Sequence, residues 1–157
     1  MIAYKLGTSS QTLVFSNGVL EHFETHKQSN FWRREAGGHL FAKVEDDMLT
    51  VKLASGPEKG DIRSRFAFGF NRQSSQQIIN AQFAANMHYI GDWHTHPQDY
   101  PMPSSIDHRT MKTRFEKSDH GLKSMVFCII GRAEFPRGLA VLMQNERDCL
   151  RLSSEEK

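Results

Sequence analysis

The stretch GDWHTHPQDYPMPSSID, residues 91–107, decides more about the fold and the chemistry of this chain than any other. The apolar residues that lead up to His94 predict a strand, and Pro97 predicts its end, because proline cannot continue a central ladder. Two further prolines keep the next segment extended and turning, and Ser104 predicts the start of a helix. The stretch therefore predicts a strand, a turn and a helix that return the chain to the end of that strand.

Three potential metal ligands follow from this arrangement. His94 and His96 are two residues apart at the end of the predicted strand, so their side chains point to the same face, about 6–7 Å apart along the backbone. Imidazole nitrogens bind zinc at about 2.0–2.1 Å, and three protein ligands with an open fourth position are typical of a catalytic zinc site. Asp107 lies in the first turn of the predicted helix, where the helix dipole favours the ionised carboxylate that a metal requires. We therefore predict that Zn²⁺ is the cofactor.

Each part of this pattern also has a more ordinary interpretation. Ser104 and Asp107 resemble a capping box, and a histidine on a strand is usually structural. It is the joint occurrence of all parts at fixed spacing that favours a metal site. His22 and His26 form a second pair four residues apart, but the glutamate between them is one position late for the HExxH pattern, so we expect both to be solvated. The remaining histidines have no partner pattern and are expected to be structural or on the surface; they are His39, His88, His108 and His120.

Composition excludes several classes of function. The chain has 157 residues and a net charge of +2, with acidic and basic residues mixed, so we expect no nucleic-acid partner. Cys128 and Cys149 are far apart and outside any CxxC pattern, which argues against a cysteine metal site or a disulfide framework. A signal peptide and a membrane-spanning apolar run are both missing from the sequence, so we expect a cytoplasmic protein without a membrane partner.

Strand and helix patterns alternate along the chain, which predicts an α/β fold with helices covering a sheet. We expect a single domain over residues 1–157, with its core at about 11–152 and loose ends at 1–10 and 153–157. Phe66, Phe68 and Phe70 alternate with smaller residues on a predicted strand and are expected in the core. The packing face of the second predicted helix is expected to carry Ile78, Ile79 and Phe83, with Gln82 near it. The predicted strands are 12–15, 38–44, 49–54, 66–70, 89–94, 125–130, 139–143 and 150–152. The predicted helices are 17–27, 73–86 and 104–117, and Asn17 is expected to cap the first of them.

With these residues in place, the chain resembles the JAMM (MPN-type) zinc metallopeptidases. The family motif is an upstream glutamate in Glu-x-x-Gly, then His-x-His, seven residues and Ser-x-x-Asp. This chain matches the motif at His94, His96, Ser104 and Asp107, and Glu35 stands in the matching upstream sequence EAGG. The resemblance implies a mixed curved sheet flanked by helices, similar to cytidine deaminases.

The resemblance covers about residues 13–143 and narrows to the bacterial stand-alone members. The small size, the form GDWHTHP and the segment Ser64–Phe66 are most similar to the deconjugating peptidase of CBASS anti-phage operons. That group implies a deubiquitinase-like isopeptidase that releases a cGAS-like nucleotidyltransferase from conjugates linked through its C-terminal tail. An E1–E2-like partner would form those conjugates, and the loop of residues 56–64 would clamp the extended tail, which can bind by strand pairing.

Residue types and family roles imply one mechanism for hydrolysis of an amide or isopeptide bond. Glu35 would act as the general base and pass its proton to the leaving amine. The Ser104 hydroxyl would stabilise the tetrahedral oxyanion. Asp92 or Asp99 would orient one of the imidazoles, or would be a solvated carboxylate with no such role.

Three other functions stay open at this point. In the first, the same zinc chemistry would act on a sulfur-carrier protein or another ubiquitin-like precursor. The second is a non-catalytic MPN scaffold, against which the intact motif argues. The third is a zinc nucleobase deaminase, which would need H-x-E and P-C-x-x-C ligands that this chain lacks.

Overall fold

Apolar runs form the centre of the sheet, as in the run MVFCII at residues 125–130, where all six side chains are buried. The computed structural model describes residues 1–65 and 68–155. Its strands are β1 Ile2–Lys5, β2 Thr12–Phe15, β3 Gly37–Glu45, β4 Met48–Ala54, β5 Ile62–Arg63, β6 Phe68–Gly69, β7 His88–Thr95, β8 Met125–Ile130, β9 Leu139–Gln144 and β10 Cys149–Arg151. Its helices are α1 Asn17–His26, α2 Arg72–Ala84 and α3 Ser105–Lys117.

Eight of these strands form one mixed sheet in the order β1-β2-β4-β3-β7-β8-β9-β10. The pairs β2–β4 and β7–β8 are parallel, and the other neighbours are antiparallel. The sheet is strongly curved, as shown by the bridge between Tyr4 of β1 and Ser154, which lies beyond the last strand. The predicted α/β fold with a mixed curved sheet flanked by helices is therefore confirmed.

Both faces of the sheet carry apolar side chains. On one face, Val19 and Phe23 of α1 are buried in the same core cluster as Phe15 and Trp93. On the other face, Met111 and Phe115 of α3 are buried in a second cluster, together with side chains of β8 and β9. Because both faces of the sheet are covered by helices, the sequences of the central strands are continuous apolar runs and do not alternate between apolar and polar residues.

The two ends of the chain were expected to be loose, and this expectation is wrong for the described residues. The run Ile2–Lys5 pairs with β2. Near the other end, the backbone N–H of Glu155 donates to the carbonyl of Ala3 at 2.8 Å. Residues 156 and 157 lie outside the described residues. The contact between Glu155 and Ala3 joins the two ends of the chain, which local patterning does not reveal.

Helix α2 packs less closely against the sheet than the spacing of its apolar residues predicted. Phe83 is 69% exposed, which contradicts its expected place on the packing face, and in the described helix no side chain is fully buried. Asn17 was expected to cap α1, but Ser16 occupies that position, and its side chain makes no capping hydrogen bond. Across the described residues, no helix is long and apolar enough to cross a membrane.

The histidine pair on α1 is packed rather than solvated, which corrects the expectation for His22 and His26. Both rings contact Trp93, at centroid distances of 5.4 and 5.7 Å. His22 Nε2 donates a hydrogen bond of 2.8 Å to the carbonyl of Gly56. Burial lowers the pKa of His22, and the neighbouring His26 acts in the same direction. The pair thus joins α1 to the sheet and to the loop after β4.

The predicted strand at 66–70 is present only as β6. Phe66 lies outside the described residues, and Phe68 and Gly69 pair with β5 to form a separate two-stranded hairpin. This hairpin reaches the functional site described below.

A bulge in β7 depends on a glycine. The pairing of β3 with β7 shifts by one residue between Leu40 and Phe41, opposite Gly91 and Tyr89. Gly91 has a φ of +151°, and an added Cβ would lie 1.7 Å from the carbonyl oxygen of Val126 on β8. Glycine is the residue that tolerates both the backbone conformation and the close approach.

We predict that Gly91→Ala lowers the free energy of unfolding by about 3 kcal/mol or more, because the new methyl group overlaps backbone that cannot yield. Urea denaturation followed by circular dichroism measures the change. The control is Gly18→Ala in α1, where an added Cβ meets no atom within 4 Å and helix propensity favours alanine by about 0.5–1 kcal/mol. Equal stability of Gly91→Ala and the wild-type protein would contradict the prediction.

Candidate metal centre and active site

The candidate site lies where β3 begins and β7 ends. In the antiparallel register Gly37 pairs with His94. The pairing continues beyond the strand, because Thr95 N donates to Ala36 O at 2.8 Å. The next residue, Glu35, therefore stands opposite His96. The sequence EAGG thus brings the upstream carboxylate to the histidine pair through ordinary strand register.

Three side chains converge at this point with the spacing of metal ligands. The Nε2 atoms of His94 and His96 are 3.2 Å apart. Asp107 Oδ1 lies 3.1 Å from His94 Nε2, and Asp107 Oδ2 lies 3.1 Å from His96 Nε2. Ligands at about 2.0–2.1 Å from a tetrahedral zinc ion are separated by roughly 3.3 Å. The three side chains are therefore spaced closely enough to bind one divalent metal ion, with each Asp107 oxygen next to a different histidine.

A second carboxylate borders the same pair of histidines. One ligand atom each of Glu35, His94 and His96 lies within 4.8 Å of the others. Glu35 Oε1 is 4.0 Å from His96 Nε2, farther than the 3.1 Å of the Asp107 oxygens. These distances favour Asp107 as the third ligand and leave Glu35 beside the ligands.

The two carboxylates differ in acidity. Burial raises the pKa of Glu35, with Asp107 acting in the same direction and both histidines opposing it. Burial also acts to raise the pKa of Asp107, but hydrogen bonds with His94, His96 and the Ser104 N–H lower it well below its usual range. Such a difference suits one carboxylate that exchanges protons and one that stays ionised.

Ser104 and Asp107, which belong to the candidate metal-binding motif, also form the capping box at the start of α3. Ser104 Oγ accepts a 3.0 Å hydrogen bond from Asp107 N, and Asp107 Oδ2 accepts one of 2.8 Å from Ser104 N. The cap fixes the Asp107 carboxylate toward the histidines. It uses Ser104 Oγ only as an acceptor, so the hydroxyl proton stays available for a group bound in the cleft.

A glutamine, rather than either candidate aspartate, contacts a candidate ligand. His96 Nδ1 and Gln98 Oε1 are 3.3 Å apart, and Nδ1 must donate because an amide oxygen only accepts. This leaves Nε2 of His96 as the metal-binding atom. Asp99 instead accepts from Arg132 Nε at 2.9 Å. Gln98 was missed because a carboxylate was expected in this role, and its position two residues after His96 was the only signal.

Asp92 organises a buried polar network away from the histidine ligands. Its Oδ1 is 2.6 Å from His39 Nδ1 and accepts from Tyr89 OH at 2.8 Å. Its Oδ2 pairs with Arg114 Nε at 3.2 Å, and His39 Nε2 reaches Ser75 Oγ at 2.8 Å. The network joins both outer helices, α2 and α3, to β3 and β7. His39, left unassigned from sequence, is 2% exposed.

A cleft of about 590 Å³ leads to the site, and its wall is largely apolar. Phe68 and Phe70 line this cleft, which corrects their expected place in the core. Phe70 packs between the His39 ring, at 4.4 Å, and the Arg114 guanidinium, at 5.1 Å. The network around Asp92 thus holds one wall of the cleft. The cleft is further lined by Ile106, Thr110, Met111 and Phe127.

Comparisons with known proteins agree with this arrangement. The family described as prokaryotic homologs of the JAB domain matches residues 16–145. A CD-NTase/cGAS isopeptidase of Pseudomonas aeruginosa is 32% identical over 123 residues, which are 76% of this chain and 77% of that protein. One of Vibrio cholerae is 30% identical over 126 residues, 78% of each chain. A solution structure from Desulfitobacterium hafniense has a TM-score of 0.60 at 18% identity, covering 92% of this chain and 90% of its own.

We predict that Asp92→Asn lowers the free energy of unfolding by about 1–3 kcal/mol, because the amide weakens the hydrogen bonds with His39 and Tyr89 and leaves the half-buried Arg114 without its carboxylate partner. The measurement is urea unfolding. We also expect metal content to stay at the wild-type level, since Asp92 contacts neither His94 nor His96. Loss of metal from a folded Asp92→Asn protein would contradict this separation, and the exposed Asp99→Asn is the matched control.

Proposed function

Because the chain belongs to the prokaryotic JAB domain family, we propose that it is a zinc-dependent isopeptidase that cleaves the bond after the C-terminal tail of a conjugated protein. The observation that carries the proposal is the convergence of the His94, His96 and Asp107 side chains, with Glu35 Oε1 4.0 Å from His96 Nε2. A hydrolase of this family needs a metal, a general base and an oxyanion donor, and this chain offers a residue for each.

Zinc is the metal that this donor set suits best. Two imidazoles and one carboxylate with an open position are the ligands of many catalytic zinc sites. His94, His96 and Asp107 would hold the ion, which would supply Lewis-acid activation of water for attack on the amide carbonyl. Gln98 keeps Nε2 of His96 available for this role by binding Nδ1.

The proton transfers fall to Glu35. Its side chain is buried and its raised pKa brings it closer to neutrality, where a general base is most effective. Glu35 accepts the proton of the attacking water and later donates it to the leaving amine. Ser104, whose O–H is left free by its capping role, donates to the oxyanion of the tetrahedral intermediate.

The form of the cleft favours an extended tail as substrate. The candidate catalytic groups lie behind aromatic walls, and Glu35 is only 5% exposed. An extended segment can enter such a cleft, and main-chain contacts with apolar pockets can supply its affinity. The relatives are named CD-NTase/cGAS isopeptidases, which supports a CD-NTase, a cGAS-like nucleotidyltransferase, as the conjugated protein. The resemblance to the CBASS peptidases supports a role in anti-phage defence.

We predict one zinc ion per chain in the wild-type protein and near-complete loss of zinc in His96→Ala and Asp107→Asn. Glu35→Gln should keep the ion, because Glu35 lies outside the ligand triangle. Elemental analysis after dialysis measures all four proteins. The control is His88→Ala, at the other end of β7. Wild-type zinc content in His96→Ala would place the metal elsewhere.

The function is tested with a cGAS-like nucleotidyltransferase fused through its C-terminus to a reporter protein. We expect cleavage directly after the tail, and a decrease of about 10²–10⁴ in kcat for Glu35→Gln, the usual scale for loss of a general base. Glu21→Gln, on the exposed side of α1, is the control. An intact fusion under all conditions would refute the substrate, and cleavage of a sulfur-carrier fusion instead would transfer the same chemistry to that class.

Ser104→Ala should lower kcat on the order of 10²-fold, as for loss of one oxyanion donor. Alanine also removes the cap of α3, at a cost of about 1 kcal/mol. Ser104→Gly separates the two effects, because glycine at this position costs only a few tenths of a kcal/mol. Equal losses of kcat in both variants indicate the hydroxyl, whereas normal turnover in Ser104→Gly would exclude it from catalysis.

A further inference from the structure

Two adjacent aromatic side chains, separated from Glu35 by two arginines, are exposed on the surface. Phe31 is 66% exposed and Trp32 is 85% exposed, in the segment between α1 and β3. Single exposed hydrophobic residues are common, but contiguous aromatic ones often mark interaction sites. We name the patch formed by Phe31, Trp32, Arg33, Arg34, Arg63 and Arg65 the aromatic–arginine surface.

The segment that carries these rings is held in one conformation by buried and local hydrogen bonds. Asn30 Oδ1 accepts from Trp32 N and Arg33 N, both at 3.1 Å. Gln28, which is 1% exposed, donates to the Arg33 carbonyl at 3.2 Å. The Arg33 guanidinium donates to the carbonyl of Lys27 at 3.0 Å. A surface that is already ordered loses little conformational entropy when a partner binds.

Positive charge is concentrated around the same rings. The Arg65 guanidinium lies 3.9 Å above the Phe31 ring and donates to the Phe31 carbonyl at 2.7 Å. Arg63 Nε donates to the Glu35 carbonyl at 2.9 Å, and Arg34 is exposed. Within the described part of the chain, Arg34 and Arg63 form no salt bridge with a carboxylate.

The arginines also affect one another. Burial lowers the pKa of Arg63, Arg34 and Arg33 act in the same direction, and Asp61 opposes them. The surface therefore holds like charges close together, and an acidic partner would relieve their repulsion.

The aromatic–arginine surface is continuous with the cleft. In the β5–β6 hairpin, Arg63 pairs directly with Phe68, and Phe68 lines the cleft. One short hairpin thus carries a basic residue of the surface and an aromatic wall of the cleft. A tail that lies along Phe68 therefore passes next to Arg63, at the edge of this surface.

We propose that the aromatic–arginine surface docks an acidic, partly apolar patch on the folded body of the protein whose tail enters the cleft. The proposal rests on the proposed function, and it adds a second contact that the tail alone does not supply. Tryptophan and arginine are among the residues that most often dominate binding energy at protein interfaces, and Trp32 and Arg34 lie in a segment whose backbone is held by hydrogen bonds.

A protein partner fits the surface better than a nucleic acid. Single-stranded nucleic acids are bound along basic grooves with successive stacking side chains. Here one face of Phe31 is covered by Arg65, and the two aromatic rings meet edge to face, with an interplanar angle of 85°. The net charge of the whole chain is only +2, so the positive charge is local.

The test compares two substrates that share one tail. One is the folded nucleotidyltransferase–reporter fusion, and the other is a peptide of the same C-terminal tail joined to the same reporter. We expect Trp32→Ala and Arg34→Glu to raise KM for the fusion about 10–30-fold with little change in kcat, the range of an interface hot spot. KM for the peptide substrate should change less than about twofold, because the candidate catalytic residues are untouched.

The matched controls lie at the opposite end of the sheet. Phe83→Ala removes an aromatic ring that is 69% exposed near the start of β7, and Arg147→Glu reverses a charge in the turn after β9. Both should leave KM for the fusion unchanged. Equal KM values for the fusion in wild type, Trp32→Ala and Arg34→Glu would overturn the proposal, and equal increases with both substrates would indicate a structural effect instead.

Tryptophan fluorescence tests docking without hydrolysis. The chain has two tryptophans, and Trp93 is 0% exposed, so acrylamide quenching reports on Trp32. In Glu35→Gln, the folded nucleotidyltransferase should shield Trp32 and shift its emission to shorter wavelength. If wild type cleaves neither substrate, the proposed function fails while this measurement still decides docking. Unchanged quenching, or shielding by single-stranded RNA instead of the protein, would overturn the proposal.

Discussion

The hydroxyl group of Thr95 connects most of the features that matter for function. It lies between the two candidate histidine ligands on the opposite face of β7, and it is fully buried. Thr95 Oγ1 accepts from Ala36 N and donates to Gln28 Oε1, both at 2.9 Å. The first bond aligns Glu35 with His96. The second reaches Gln28, which holds the Arg33 and Arg65 carbonyls and so fixes the aromatic–arginine surface.

The site uses folding contacts as functional contacts. The capping box that starts α3 also orients Asp107, so one pair of hydrogen bonds serves helix stability and the acidity of a candidate ligand. Strand register, rather than a dedicated loop, brings Glu35 to the histidines. The candidate metal centre therefore depends on elements that must form for the chain to fold at all, which suits a site that has to be held within fractions of an ångström.

The sequence alone predicts those parts of the protein that depend on local pattern and spacing. The strands at 12–15 and 125–130 agree with the structure residue for residue, and the spacing of His94, His96 and Asp107 anticipates their convergence. Contacts between distant segments were missed. The contact of Glu155 with Ala3 and the burial of His39 beside Asp92 each depend on a partner far away in the sequence. Gln98 was missed for a different reason, because a carboxylate was expected beside the histidine. Phe83 was misplaced because period alone does not show how closely a helix approaches its sheet.

The packing of Phe70 affects how the substrate specificity of this family can change during evolution. Phe70 packs between His39 and Arg114, and both are held by Asp92, so a substitution at Phe70 also disturbs the network that fastens α2 and α3. Ile106 lines the same cleft but is 67% exposed and bears no such connection. For the proposed tail substrate, new specificities should therefore evolve through Ile106, where sequence drift is nearly neutral for stability, while substitutions at Phe70 are disfavoured.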